Sequence, residues 1–154
     1  MKIDLLDEHI IKLLAPDTEQ STDSIAKKLK MHPTTIRRRV QDLVRNKVIR
    51  LVAAVDPNKM GFPLAAVITF HADPHKLKSA VQSLANRREV VWCSTTTGRF
   101  DIITLVRVAS TDDLLELAET LLTQVEGLIN SETFVCLNVG KGRYSLMYAD
   151  APSE

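Results

Sequence analysis

Hydrophobic residues recur at helical spacing through the first third of the chain and predict three helices. The first is expected to end near Pro16, and its apolar face is formed by Ile3, Leu6, Ile10, Leu13 and Leu14. A short second helix can begin after Ser21 or Thr22, since either hydroxyl can accept a hydrogen bond from an N-terminal amide. After a tight break, Pro33 suits the first position of a third helix over residues 33–45.

The third helix has two faces of different chemistry. At about 100° per residue, one face is apolar and is expected to pack inward through Ile36, Val40, Leu43 and Val44. The opposite face offers hydroxyls, an amide and guanidinium groups, with two further arginines flanking the apolar face. These groups suit phosphates and base edges in the major groove of double-stranded DNA. The expected DNA contacts are Thr34, Thr35, Arg37, Arg38, Arg39, Gln41 and Arg45.

A short helix, a tight turn and a basic helix form the helix-turn-helix arrangement, whose second helix enters the major groove. Residues 27–50 hold nine Lys or Arg and one acid, Asp42. The net charge of +1 hides a division into +4 for residues 1–50 (11 basic, 7 acidic) and −3 for residues 51–154 (9 basic, 12 acidic). The alternative is a three-helix bundle that binds a protein, but such a face normally exposes apolar anchors. The third helix exposes none, which favours DNA.

The rest of the chain alternates strand and helix signals. A β-rich run over residues 49–55 is followed by turn-forming Pro and Gly residues. Strands are then predicted at residues 64–72, 89–97, 100–108 and 129–139. Helices are predicted at residues 74–87 and from a cap at Ser110 or Thr111 to Gly127. The order β-α-β-β-α-β is that of the ferredoxin-like split βαβ fold.

The predicted fold class is therefore α+β, in three parts. Residues 1–50 form a winged-helix-like helix-turn-helix domain, residues 51–63 a β hinge, and residues 64–154 a ferredoxin-like domain. Two helices cover only one face of such a sheet, and the other face is partly apolar. An apolar patch of this size normally marks an interface, so a homo-oligomer is expected, most simply a two-fold dimer.

The composition of the chain also argues against several other kinds of protein and site. No apolar run is long enough to span a membrane, and no signal peptide is evident, so a soluble cytoplasmic protein without a membrane partner is expected. Cys93 and Cys136 cannot form a disulfide framework or a four-ligand zinc site, and each is expected to act as a small hydrophobe, with a redox sensor as the alternative. His71 and His75 lack further metal ligands nearby in sequence. No metal, cofactor or catalytic residue is expected.

Several short motifs occur in order along nearly the whole chain. They are Leu5-Leu6-Asp7, Ile25 to Leu29, Thr35 to Val40, Val48-Ile49, Asp56-Pro57 with Met60-Gly61, Thr97 to Asp101, and Gly127-Leu128. Together they resemble the Lrp/AsnC (feast/famine) family of transcription regulators. The resemblance implies dimers that assemble into octamers or larger particles, and a C-terminal domain, called RAM, that binds an amino acid or related small metabolite between dimers.

Carried over to this chain, the resemblance implies effector contacts from Thr97, Gly98, Arg99, Phe100, Asp101, Thr133, Phe134 and Val135. Gly98 would expose backbone N–H groups to a carboxylate, Asp101 would pair with an α-ammonium group, and Thr133 would offer a hydroxyl. The alternative is that residues 97–99 form only a β-hairpin turn, with Asp101 a solvated or helix-paired acid. Haem-precursor (siroheme-type) decarboxylases share the two-part fold and are the alternative function, although no catalytic cluster supports an enzyme.

Three positions depart from the family pattern. His32 stands where the family usually has a serine as the cap of the recognition helix. Lys47 replaces the usual glycine, which leaves Asn46 as the residue expected to adopt left-handed geometry. Arg99 replaces an acidic residue, which favours either an effector with a second acidic group or an unused pocket.

Overall fold

Three helices build the N-terminal part of the chain: α1 (Leu5–Leu14), α2 (Thr22–Leu29) and α3 (Pro33–Arg45). The computed structural model describes residues 2–52 and 54–140. The chain divides into two units, Met1–Val52 and Ala53–Glu154, each with its own hydrophobic core. In the described residues, no helix is long and apolar enough to cross a membrane.

Local hydrogen bonds explain where the helices begin. Helix α1 starts with a capping box, in which the side chains of Asp4 and Asp7 each accept a hydrogen bond from the other's backbone N–H, at 3.0 and 3.1 Å. Ser21, not Thr22, caps α2 by accepting from the N–H of Ser24 at 3.1 Å. These bonds satisfy amides that the first turn of a helix leaves without partners.

Helix α3 ends differently from the sequence prediction. The left-handed residue is Lys47, with φ of 55°, whereas Asn46 has φ of −83°, so the expectation for Asn46 was wrong. The N–H of Val48 donates to the Leu43 carbonyl at 2.9 Å, and that of Lys47 to the Val44 carbonyl at 3.0 Å. This pair of bonds is a Schellman motif, which places the left-handed residue one position after the cap.

The three helices bury a small apolar core. Its fully or nearly fully buried members are Ile10, Leu14, Ile25, Ala26, Ile36 and Leu43. Val40 packs against this core. Val44 was also predicted to be buried, but it is 42% exposed, so the buried face of α3 is narrower than the sequence predicted. Val44 lies at the edge of the apolar face, one residue before the helix ends.

The second unit is a four-stranded antiparallel sheet with two helices. Its elements are β1 (Leu64–Ala72), α4 (Leu77–Ala85), β2 (Val90–Thr95), β3 (Ile102–Val108), α5 (Thr111–Gln124) and β4 (Leu128–Val135). The strand order β2-β3-β1-β4, with every pair antiparallel, confirms the predicted ferredoxin-like α+β fold. Alternate residues of β1 and β3, including Ile68, Phe70 and Ile102, pack under the helices.

One predicted β segment is absent from the described residues and three predicted strands were too long, since β2 and β3 cover residues 90–95 and 102–108 where residues 89–97 and 100–108 were predicted. Residues 49–55 form no strand in the described part of the chain, where Val55 alone makes an isolated bridge. A strand needs the backbone of a neighbouring strand to satisfy its amides and carbonyls, and apolar residues alone do not supply one. Strand β4 ends at Val135 instead of residue 139. The predicted C-terminal domain also includes residues 141–154, which lie outside the described residues.

Candidate functional site

The outward face of α3 is a polar surface. Five of the seven predicted DNA contacts are exposed, and they are Thr34, Arg37, Arg38, Gln41 and Arg45. Thr35 is half-buried, and Arg45 lies 3.8 Å from Asp42 in an exposed pair that restrains it little. With Ile36 and Leu43 buried, the helix presents this surface because its apolar side is held inside the unit.

The start of α3 is capped by an imidazole. Nδ1 of His32 accepts a hydrogen bond from the backbone N–H of Thr34 at 3.3 Å. An imidazole nitrogen can accept only when it carries no proton, so this cap requires the tautomer protonated on Nε2. His32 therefore replaces the serine of the family pattern with a different acceptor atom.

Arg39 differs from the other six predicted DNA contacts because its guanidinium is paired with two carboxylates. Its side chain is 27% exposed, and Nη2 lies 2.8 Å from Oδ2 of Asp4. Nη1 lies 3.2 Å from both carboxylate oxygens of Asp7, whose side chain is fully buried. The guanidinium of Arg39 thus joins α3 to the start of α1, whereas it was predicted from the sequence to contact DNA.

The same contacts act on the charge of Asp4. The backbone N–H of Asp7, and after it the guanidinium of Arg39, lower the pKa of the Asp4 carboxyl below its ordinary value. Because hydrogen bonding and a neighbouring cation both favour the ionised form, the carboxylate of Asp4 keeps its negative charge to a lower pH than an ordinary aspartate does.

In the second unit, the turn between β2 and β3 is tied to the end of β1. The N–H of Asp101 donates to the carbonyl of Phe70 at 3.0 Å, and its Oδ2 accepts from the N–H of Ala72 at 3.0 Å. Gly98 has φ of 121°, a conformation that other residues rarely adopt. The turn is therefore held in place by backbone hydrogen bonds, and Asp101 is paired with a strand end and not with a helix.

Charged and aromatic side chains surround this turn. Nδ1 of His71 lies 3.5 Å from Oδ2 of Asp101, and the rings of His71 and Phe100 are 5.3 Å apart. The guanidinium of Arg99 lies 5.2 Å from the centre of the Phe100 ring. Its Nη2 also donates to Oε1 of Glu132 at 2.8 Å, which brings the turn and β4 together. His71 and Glu132 were not predicted at this site, because both are distant from the turn in sequence.

Strand β4 does not present the three predicted effector residues on one side. Phe134 pairs with Val67, whereas Thr133 pairs with Ile68, a core residue under the helices. Since side chains alternate along a strand, Thr133 and Val135 lie on the helix side and Phe134 on the opposite side with Glu132. Within one chain, the hydroxyl of Thr133 therefore lies on the other side of the sheet from Glu132.

A cavity of about 370 Å³ occurs elsewhere in this unit, and none of the predicted effector residues lines it. The residues around it are Phe62, Arg87, Glu89, Arg107, Val108, Ala109, Asp113, Glu116, Leu117 and Thr120. Within residues 2–52 and 54–140, no group of three or more His, Cys, Asp or Glu residues could hold a metal ion.

The two cysteines are free and half-buried. Burial raises the pKa of the Cys93 thiol. A raised pKa lowers the thiolate fraction on which redox reactivity depends, which disfavours a redox sensor at Cys93.

Two family models match the chain along these two units. Residues 3–44 match the AsnC-type helix-turn-helix domain, and residues 65–146 match the Lrp/AsnC ligand binding domain. The chain belongs to the Lrp/AsnC family. Its α3 is accordingly the recognition helix of a DNA-binding domain, and its sheet unit is a ligand-binding domain.

Relatives of this Lrp/AsnC chain support the assignment. An uncharacterised HTH-type transcriptional regulator from Pyrococcus furiosus is 33% identical over 147 residues, which cover 95% of this chain and 99% of the relative. Another from Pyrococcus abyssi is 30% identical over 149 residues, covering 96% and 94% respectively. The family domains and these names identify a transcriptional regulator and not an enzyme, so the decarboxylase alternative is set aside.

Solved structures share the fold of this family member. Escherichia coli AsnC has a TM-score of 0.85 at 24% identity, covering 92% of this chain and 97% of AsnC. The transcriptional regulator NMB0573 from Neisseria meningitidis, solved as a complex with L-Met, has a TM-score of 0.83 at 18% identity, covering 92% and 94%.

Proposed function

We propose that this protein is a cytoplasmic, sequence-specific DNA-binding regulator whose binding or assembly responds to an amino acid or related small metabolite. The single observation that supports DNA reading best is the outward face of α3, where hydroxyl, amide and guanidinium groups are exposed above a buried Ile36 and Leu43. Arginine and lysine would supply salt-dependent phosphate contacts, and Thr34, Thr35 and Arg38 would reach base edges.

Genome-wide recovery of DNA bound to the protein tests this proposal, with and without a pool of amino acids. We expect a limited set of sites that share a sequence pattern with two-fold symmetry, because a dimer presents two copies of α3. We also expect the amino-acid pool to change site occupancy. Recovery proportional to genomic abundance, without a shared pattern, would contradict sequence-specific reading.

The proposed effector site is the turn at residues 97–101 together with β4. Gly98 leaves its backbone accessible to a carboxylate, and nothing lies within 4 Å of the position a Cβ would take there. Asp101 offers a carboxylate for an α-ammonium group, although one of its oxygens already accepts from Ala72. Since Arg99 is paired with Glu132, its charge is already balanced, which favours an effector without a second acidic group.

We expect a second copy of the chain to complete the proposed effector site. Trp92 and Phe134 are 53% and 49% exposed, and Trp92 pairs with Leu105, one of the β3 residues that lie opposite the helix side. A second copy covering this face would bury apolar surface, as expected of a dimer, and octamers or larger particles would follow from contacts between dimers. The L-Met bound to the Neisseria protein is consistent with an amino-acid effector, while the effector of this chain stays a prediction.

Asp101→Asn is expected to abolish the response to amino acids while leaving DNA binding intact. The asparagine oxygen can still accept from the N–H of Ala72, so the turn keeps its hydrogen bond, whereas the charge that would pair with an α-ammonium group is lost. The measurement is DNA affinity with and without the amino-acid pool. Glu119→Gln, at an exposed position of α5, is the matched control. An unchanged response in Asp101→Asn would remove Asp101 from the site.

A further inference from the structure

The contacts of Arg39 form a link between the recognition helix and the first turn of α1. One guanidinium reaches two carboxylates through different nitrogens, Nη2 to Asp4 at 2.8 Å and Nη1 to both oxygens of Asp7 at 3.2 Å. Charge-assisted hydrogen bonds are roughly twice as strong as neutral ones. The guanidinium of Arg39 is therefore bound from two sides by carboxylates.

Both carboxylates are themselves fixed by the backbone. Oδ1 of Asp4 accepts from the N–H of Asp7 at 3.0 Å, and Oδ2 of Asp7 accepts from the N–H of Asp4 at 3.1 Å. The capping box that starts α1 is thus also the binding site for the guanidinium from α3. Any rotation of α3 about its axis would have to break these bonds or move the start of α1.

Small rotations matter at a DNA-reading surface. Exposed side chains extend about 5–6 Å from the helix axis, so a rotation of about 20° displaces them by about 2 Å. Donor–acceptor distances in good hydrogen bonds vary by only about 0.5 Å. Base contacts from α3 therefore require its rotation to be held closely, and burial of Ile36 and Leu43 alone provides a non-directional restraint.

We propose that Arg39 is a positioning residue, which sets the rotation of α3 against α1 through the Asp4–Asp7 capping box and does not itself contact DNA. This inference rests on the proposed reading of DNA by α3. The alternative is that Arg39 leaves the carboxylates and binds a phosphate. The two roles predict opposite effects when a carboxylate is neutralised.

Asp4→Asn provides the sharpest test. Asparagine is also a good N-cap and can still accept from the N–H of Asp7, so α1 keeps its start while the pairing with Arg39 loses its charge. If Arg39 positions α3, affinity for a duplex selected by the wild-type protein from a random library should fall several-fold, although a negative charge was removed. If Arg39 binds phosphate, freeing it should strengthen binding to the selected duplex and to a shuffled duplex alike, which would overturn the proposal.

Asp23→Asn is the matched control, because Asp23 is an exposed acid in the first turn of α2. It makes the same change of charge without touching Arg39. We expect equal or slightly stronger binding to both duplexes, since a charge that repels phosphate is removed. A fall in selective binding as large as that of Asp4→Asn would show a general charge effect and overturn the proposal.

The salt dependence of DNA binding also distinguishes a positioning role of Arg39 from a phosphate contact. For Arg39→Met, we expect about a tenfold or greater loss of preference for the selected over the shuffled duplex, with an unchanged slope of log K against log[salt]. Loss of a phosphate contact would instead reduce that slope by about 0.9 and overturn the proposal. Arg39→Lys should recover part of the preference, because one ammonium can pair with a carboxylate but cannot span both as the guanidinium does.

Circular dichroism and the unfolding midpoint of each variant ensure that only folded protein is compared. If Arg39→Met does not fold, Asp4→Asn alone decides the outcome. If the wild-type protein selects no sequence from the library, the proposed DNA reading fails. If it does select one and the variants behave as phosphate-contact mutants, only the role of Arg39 fails.

Discussion

Arg38→Ala is expected to weaken binding to the wild-type-selected duplex by about 1–3 kcal/mol, roughly a 5- to 150-fold loss. Arg38 is exposed near the middle of the polar face of α3, where a guanidinium can reach two acceptors of a guanine. Binding to a shuffled duplex should change far less, because non-specific affinity comes from many phosphate contacts together. Competition binding against both duplexes measures the two losses.

The matched variant for Arg38 is Arg38→Lys, which keeps the charge and removes the planar pair of donors. If Arg38 pairs with a guanine, the lysine variant should also tolerate substitution of one base pair that the wild-type protein requires. Equal losses on the selected and shuffled duplexes in the alanine variant would make Arg38 a phosphate contact. In that case base reading would have to come from Thr34, Thr35 or Gln41.

Ile36→Ala is expected to have the largest effect on stability, because Ile36 is a fully buried member of the N-terminal core. Replacing a large buried aliphatic residue by alanine costs about 2–5 kcal/mol through lost burial and the cavity left behind. A three-helix unit of this size has little stability to spare. We expect the unit to unfold at a much lower temperature and DNA binding to be lost with it.

Calorimetry tests whether the effect of Ile36→Ala stays local. The core of the sheet unit contains different residues, so its unfolding transition should remain near the wild-type temperature. Ile36→Val is the graded control, with an expected cost of about 0.5–1.5 kcal/mol. A stable, DNA-binding Ile36→Ala variant would show that this position does not hold α3 in place.

Elements with regular apolar spacing could be predicted from the sequence. The residues of α3 were predicted at both ends, because Pro33 suits a first helical position and Asn46 and Lys47 follow its last apolar residues. The ferredoxin-like topology of the sheet could also be predicted, since the succession of strands and helices leaves few topologies that satisfy short connections. In both cases the signal is periodic burial, which a single sequence carries directly.

Other features depended on contacts between distant residues. Arg39 was predicted as a DNA contact together with the other arginines of α3, because helical phase alone cannot show that Asp4 and Asp7 lie beside it. The expected strand at residues 49–55 was wrong for a related reason, since a strand depends on a partner that its own residues do not specify. Left-handed geometry was assigned to Asn46 from residue preference, whereas the hydrogen bond from Val48 to Leu43 places it at Lys47.

The order of apolar and polar residues was by itself enough to determine the two-part architecture and the basic outward face of α3. Both follow from burying apolar side chains while charged ones stay in water, a preference that each segment expresses alone. Only the tertiary structure decided which charged groups meet: Arg39 with the start of α1, and Arg99 with Glu132 across the end of the sheet. Such pairs join residues about 30 positions apart in sequence, and these residues come into contact only after the separate elements have packed.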